Sequence, residues 1–223
     1  MKEKIHLLQN MLYGCEGIAL LSGIIAWKYI KDKKIRYFVC YLLFIVFSEQ
    51  VGNYLGRHGY KSASVMFYNY LVIPAEFIFA YWFLHAHLEK IRSKSLLWGF
   101  SSGCLIASVL EYTLLKDERF FFSSFSYVVS ALFLLILILL FLWQFIKTDK
   151  LINYDRYFVF WVAVAFLIYY LGTFPLYIFY NYLYSVNKKV FYIYWETQMY
   201  LNMLMYLLFS VGILWTNLKY KPS

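Results

Sequence analysis

The chain has 223 residues, of which 63 % are apolar, 24 % aromatic and only 15 % charged; soluble domains are about half apolar, so a soluble globular fold is excluded. The net charge of +9 comes from 21 Lys and Arg against 12 Asp and Glu, scattered in short clusters. No single basic face is left for nucleic acid.

Between those clusters lie apolar runs long enough to cross a bilayer, which takes about 20 residues at about 1.5 Å rise each. They predict seven transmembrane helices, at 11–30, 37–55, 63–85, 96–115, 120–146, 157–182 and 190–216. A backbone in lipid must satisfy its own hydrogen bonds, and the runs lack the alternation of barrel strands. The expected fold class is therefore all-α, a polytopic bundle of seven transmembrane helices forming one domain over 1–223. Short connections imply an up-and-down order.

The opening MKEKIHLLQN is basic but no small-residue cleavage site follows, so the first span is read as retained. That span carries Glu16 and Cys15. The second holds Glu49, Gln50 and Asn53, with Glu49 and Asn53 four apart on one face. In the third, Asn69 and Glu76 are seven apart and again share a face. Pro74 between them cannot donate to the carbonyl of Tyr70 and should kink the helix. Glu111 sits near the end of the fourth span, and the fifth, 120–146, has no charged residue. Gly172 and Pro175 form a second hinge in the sixth. The seventh carries Glu196, Gln198 and Asn202. The tyrosine-rich stretch from Tyr177 to Tyr200 either lines an interior or sits in an interfacial aromatic belt, and the belt is preferred for Tyr180, Tyr182, Tyr184 and Tyr192, which flank a loop.

Lys and Arg set the orientation. Thirteen lie on the side of the C-terminus and eight on the side of the N-terminus, which predicts N-terminus outside and C-terminus cytoplasmic in a cell (inner) membrane.

Two segments repeat. Trp27-Lys28-Tyr29-Ile30-Lys31 is echoed by Trp143-Gln144-Phe145-Ile146-Lys147, and Arg36-Tyr37-Phe38-Val39 by Arg156-Tyr157-Phe158-Val159. In that register Gly52 aligns with Gly172, and with a loop insertion Tyr68 aligns with Tyr194 and Glu76 with Asn202. One reading is convergence at membrane interfaces. The other is a three-plus-one-plus-three plan, with repeats at 11–88 and 120–216 and a linker helix at 96–115. Such a plan looks like that of the SWEET-type sugar transporters and the nicotinamide riboside transporters, in architecture only. Glu49, Gly52 and Tyr54, Tyr68-Asn69-Tyr70, Glu76-Phe77, and Asn202 with Tyr206 resemble the pattern of a group of uncharacterised bacterial seven-helix membrane proteins. That resemblance carries no functional residue with it.

The acids and amides fall in the outer half of the expected bundle. A charge at the bilayer centre costs about 2.5–3.5 kcal/mol or more, so such residues turn inward. Glu49, Asn53, Asn69, Glu76, Gln198 and Asn202 are expected to line an outward-open pocket for a cation, a protonated amine, a proton or a neutral polar solute. Against this stands a purely structural role, each interhelical hydrogen bond contributing about 0.6 kcal/mol. Glu16, Glu111 and Glu196 lie closer to the surface and are read as hydrated.

Catalytic chemistry is missing. Cys15, Cys40 and Cys104 read as small apolar residues, and His85 and His87 lie on different helix faces, so no metal site is expected. No HExxH, GxSxG or phosphate loop occurs, and no lysine lies within the seventh span for a retinal Schiff base. No catalytic residue and no cofactor are assigned. Two functions stand: a small-solute or proton/cation-coupled transporter, or a seven-helix sensor acting through a separate membrane or signalling protein. The expected partners are the bilayer, the solute or cation and, for the sensor, that protein; oligomers are open.

Overall fold

The computed structural model describes residues 2–88, 94–114 and 124–219; the expected spans' ends at 115 and 120–123, and the charged links at 89–93 and 115–119, lie outside them. Within the described residues there is no strand. The helices are α1 (Lys2–Ala26), α2 (Lys33–Arg57), α3 (Lys61–Phe67), α4 (Ile73–His85), α5 (Lys94–Leu114), α6 (Ser124–Ile146), α7 (Phe158–Ile178), α8 (Tyr180–Val186) and α9 (Lys188–Leu214). A π-helical turn over Tyr68–Val72 joins α3 to α4 into one rod, and a 3-10 segment over Asp149–Arg156 links α6 to α7.

Five of these rods are long and apolar enough to cross a membrane: Lys33–Arg57, Lys61–His85, Phe125–Ile146, Phe158–Ile178 and Lys188–Asn217. The expectation of seven is met to that extent. Helices α1 and α5 match them in length, 25 and 21 residues, but Gln9, Asn10 and Glu16 dilute the one, and the serines and Glu111 the other.

Caps fix several helix starts. Asp32 accepts the Lys34 N–H at 2.8 Å to begin α2, and Asn187 accepts the Val190 N–H at 3.2 Å to begin α9. The Glu111 carboxylate, reaching over from α5, accepts the Phe125 and Ser126 N–H groups at 3.1 and 2.8 Å. Glu111 is thus not simply hydrated; it satisfies the positive N-terminal turn of α6. At Pro74 the missing donor is absorbed just upstream, where Ile73 N–H bonds to the Tyr68 carbonyl in the wider π pattern. Pro175 lies inside α7, which ends three residues later; the Phe179 N–H bonds to the Pro175 carbonyl, and α8 then starts anew.

Helix contacts run from α1 to α2, α4, α6, α7, α9 and back to α1, closing a six-membered ring, with α5 packed outside on α4 and α6. Cross-contacts mark the two ends. Lys4–Glu196, Tyr13–Asn53 and Tyr68–Glu49 lie at the N-terminal end; Lys34–Ala86 and Trp215–Asp155 lie at the C-terminal end. Gly212 allows α9 to approach α7, since a Cβ there would meet the Trp161 Cβ at 2.7 Å. Toward the C-terminal end the ring is filled by Phe38, whose centroid lies 5.0 Å from Phe83, 5.1 Å from Phe158 and 5.1 Å from Phe209. Four helices meet on that one ring, which is fully buried.

Phe38→Ala should therefore cost about 3–5 kcal/mol, lowering the melting temperature of the detergent-purified protein by roughly 10 °C. Leu43→Ala, on the outer face of the same helix, should change it by about 0.5 kcal/mol or less. Equal losses for the two would refute the assignment of Phe38 as the packing centre.

Candidate functional site

The inward stripe of α2 reads Phe38, Tyr41, Ile45, Glu49, Gly52, at intervals of three and four residues. Along it the side chains change from apolar to acidic toward the N-terminal end. Helix α9 presents the same gradient in reverse, as Gln198, Asn202, Tyr206 and Phe209. Where the polar parts of these stripes face each other, the ring encloses a cavity of about 250 Å³. Every ring helix lines it: Glu16 from α1, Glu49 from α2, Glu76 from α4, Tyr127 from α6, Tyr169 and Tyr170 from α7, Gln198 and Asn202 from α9.

Four of the six expected pocket residues, Glu49, Glu76, Gln198 and Asn202, line this cavity. The other two do not. Asn53 accepts a hydrogen bond from the Tyr13 hydroxyl at 3.1 Å and lines a separate groove with Gln50, Arg57 and His58. Four residues advance a helix by about 400°, not 360°, so Asn53 is turned from Glu49 toward α1. Asn69 is buried but packs away from the cavity. Of the hinge residues, Pro74 is buried behind the π turn, while Gly172 faces α9, where a Cβ would meet Leu201.

Glu16, expected from the sequence to be hydrated, is not. It is only 3 % exposed and lines the cavity. Because α1 begins at Lys2, Glu16 stands roughly 20 Å along the helix, near its middle. Glu196, by contrast, pairs with Lys4 outside the cavity; the partly exposed contact links α9 to α1. The Lys4 side chain is exposed, and its hydrogen bond to Glu196 raises its pKa above the ordinary lysine value.

Tyrosines make up most of the remaining lining: Tyr41, Tyr68, Tyr127, Tyr169, Tyr170, Tyr177, Tyr180 and Tyr206. Tyr180, assigned to the belt from sequence, lies in the cavity wall, its ring stacked 6.5 Å from Tyr177. Tyr182 and Tyr184 are exposed and Tyr192 half-buried. The signal for an interior role was helical register: Tyr41 is eight residues before Glu49, and Tyr206 four after Asn202.

Two hydrogen bonds organise the acidic wall. The Tyr68 hydroxyl donates to Glu49 Oε2 at 2.8 Å, and the Gln198 amide donates to the Tyr177 hydroxyl. Tyr68 lies flat over Gly52, where an added Cβ would overlap its ring and hydroxyl. The Ser64 hydroxyl bonds to the Gly52 carbonyl at 3.1 Å and ties α3 to the same point. Other acceptors have no such donor: Gln198 Oε1 and Asn202 Oδ1 are buried without a hydrogen-bond partner. The cavity thus presents three carboxyls and two orphaned amide oxygens, and among the described residues neither Lys nor Arg lines it. Among the described residues no three His, Cys, Asp or Glu side chains are grouped closely enough to hold a metal ion.

Tyr68→Ala should cost roughly 1–3 kcal/mol, the penalty for a buried acceptor losing its donor. Gly52→Ala should cost a similar amount by displacing the ring, yet add almost nothing in the Tyr68→Ala background. Thermal melts of the four proteins check this, and additive losses would show that Gly52 does not serve to seat Tyr68.

Comparison with known proteins gives no matching family model, no matching curated protein and no matching solved structure. The chemistry of the cavity therefore carries the functional reading.

Proposed function

We propose that this is a seven-span transporter for a small organic cation bearing N–H donors, a protonated alkylamine or guanidine, with α1 and α5 completing the five apolar spans. The observation that carries the reading is the convergence of Glu16, Glu49 and Glu76 on one cavity whose wall, among the described residues, holds no basic side chain. Buried carboxylates need a counter-charge, and the orphaned amide oxygens need donors. An ammonium or guanidinium group supplies both. The three carboxyls are too dispersed for a single metal ion, and about 250 Å³ is the share of liquid volume of roughly eight waters, room for a small organic molecule. Tyrosine rings around the carboxyls would add attraction for a desolvated cation.

In this reading Glu76 neutralises the cation or takes a proton in its absence, and Glu49, steered by Tyr68, meets the cation first. The positive-inside bias places the N-terminal end outside the cell membrane and opens the polar half of the cavity outward. Pro74, Gly172 and Pro175 remain the hinges about which the ring would open inward.

A second reading, a sensor that binds the same cation and signals through another membrane protein, is favoured by one feature. The cluster of Phe38, Phe83, Phe158 and Phe209 stands between the cavity and the C-terminal end. A transporter must part those rings; a sensor need not.

Uptake of radiolabelled ethylammonium and guanidinium into proteoliposomes separates the two. The transporter accumulates at least one of them, and Glu76→Gln lowers uptake more than tenfold, while Glu196→Gln, outside the cavity, leaves it within about twofold. Saturable binding without uptake would establish the sensor instead, and neither binding nor uptake would dismiss both. Glu76→Gln and Glu49→Gln should also melt higher than the parent, as groups held for a task tend to cost stability. Clearly lower melting points would make them structural hydrogen-bonding groups.

A further inference from the structure

A second pocket, partly open and of about 220 Å³, lies at the C-terminal end of the bundle. It is built where the ends of α4 and α6 meet the starts of α2 and α7, and it includes Lys34, His87, Gln144, Thr148 and Lys150 in its wall. Its depth is marked by aromatic anchors at the same end. The Lys147 ammonium stands 3.7 Å over the Trp143 ring, and Arg36 stands 5.7 Å from Trp27. Such pairs sit at the level of lipid headgroups.

Two buried polar atoms in this wall have no hydrogen-bond partner, Gln144 Oε1 and His87 Nε2. Gln144 is only 6 % exposed. His87 directs Nδ1 at the Phe83 carbonyl, 2.7 Å away, so Nδ1 carries the proton and Nε2 presents a lone pair. Burial holds its pKa below the ordinary histidine value, with nearby Lys34 acting in the same direction. The pocket therefore offers two acceptors that need hydroxyl donors beside two ammonium groups. Lys34 also donates to the Ala86 carbonyl, and Lys150 lies 5.7 Å from the Tyr157 ring centroid. Among the described residues the Asp32 carboxylate is close, its Oδ2 3.7 Å from His87 Nε2. A phosphate ester that also bears free hydroxyl groups answers both kinds of group, an anion for the ammoniums and donors for the acceptors.

We propose that this pocket binds a phosphodiester bearing free hydroxyl groups, the chemistry of a phosphatidylglycerol headgroup or of a free glycerophosphodiester. Lys34 and Lys150 hold the phosphate, while Gln144 and His87 accept from the hydroxyls. Basic pockets between helices at the cytoplasmic level are suited to anionic headgroups. The site is independent of the cation cavity, and neither reading needs the other.

The test is a set of melting curves and lipid-binding titrations on the full-length detergent-purified protein. The probes are phosphatidylglycerol, phosphatidic acid, phosphatidylcholine and soluble glycerophosphoglycerol. Phosphatidylglycerol should bind at least tenfold more tightly than phosphatidylcholine, which lacks the hydroxyls and carries no net charge. It should also bind several-fold more tightly than phosphatidic acid, whose phosphate is a monoester without hydroxyls. Gln144→Leu should fold, because it removes an orphaned acceptor, yet lose the preference for phosphatidylglycerol over phosphatidic acid. Lys150→Gln should weaken both anionic lipids together. Binding of glycerophosphoglycerol as tight as that of the lipid supports the site and assigns its source to solution. Equal binding of phosphatidylglycerol and phosphatidylcholine would overturn the proposal. So would a lipid preference that Gln144→Leu leaves unchanged, since that is attraction by surface charge alone.

Discussion

A carboxyl group inside hydrocarbon has to be answered, by a donor, a cation, a proton or water, and the bundle is organised around that requirement. Glu16, Glu49 and Glu76 come from three different helices and could not share a cavity unless the ring closed as it does, with α1 packed on α9 and α4 on α6. Of these three, and among the described residues, only Glu49 is given a donor, and the cost of that donor is visible in the sequence. Tyr68 can reach it only because Gly52 has no side chain and because the chain between α3 and α4 widens into a π turn. The remaining acceptors face the cavity and await something from outside the chain. Structural glue would satisfy them internally, since an unsatisfied buried acceptor costs about 1–3 kcal/mol.

Four of the five buried side-chain atoms without a hydrogen bond among the described residues line one or other of the two pockets; the fifth is the Ser48 hydroxyl. Random packing errors would be spread through the bundle. Instead the unsatisfied groups collect where there is room for a ligand or water. They also differ in company. In the middle of the ring the orphaned amides stand beside carboxyls, a setting for a cation; at the C-terminal end they stand beside ammonium groups, a setting for an anion.

The helices were legible because long apolar runs have one solution in lipid. Their ends were less so. Helices α1 and α2 extend into the basic flanks, starting at Lys2 and Lys33, since nothing obliges a helix to stop at the membrane surface. Glu16, five residues into a span that starts at residue 11, reads as hydrated, yet the ring buries it. The break at Phe179 was invisible too, as the nearest helix breaker, Pro175, lies four residues earlier. For the site, spacing and depth brought Glu49, Glu76, Gln198 and Asn202 to one place. They could not separate neighbouring faces of a helix, and so included Asn53 and Asn69. The tyrosines were legible in part: the stretch from Tyr177 to Tyr200 allowed an interior or a belt role, and Tyr180 went to the belt because tyrosine is enriched at membrane interfaces.

The repeated segments gain a physical meaning from the ring. Its order, α1–α2–α4–α6–α7–α9, is unchanged when α1–α2–α4 is exchanged with α6–α7–α9. Phe38 and Phe158, equivalent in the two Arg-Tyr-Phe-Val segments, meet edge to face at 5.1 Å. In the aligned registers Phe83 corresponds to Phe209, and these two complete the same cluster. In the same registers Glu49 is matched by Tyr169, and Glu76 by Asn202, all four lining the cavity. One half supplies acids and the other hydroxyl and amide groups. A fully symmetric cavity would double the carboxyls and the repulsion among them. Replacing one set by neutral polar groups keeps the attraction for a cation while leaving fewer charges to be neutralised when the cavity is empty.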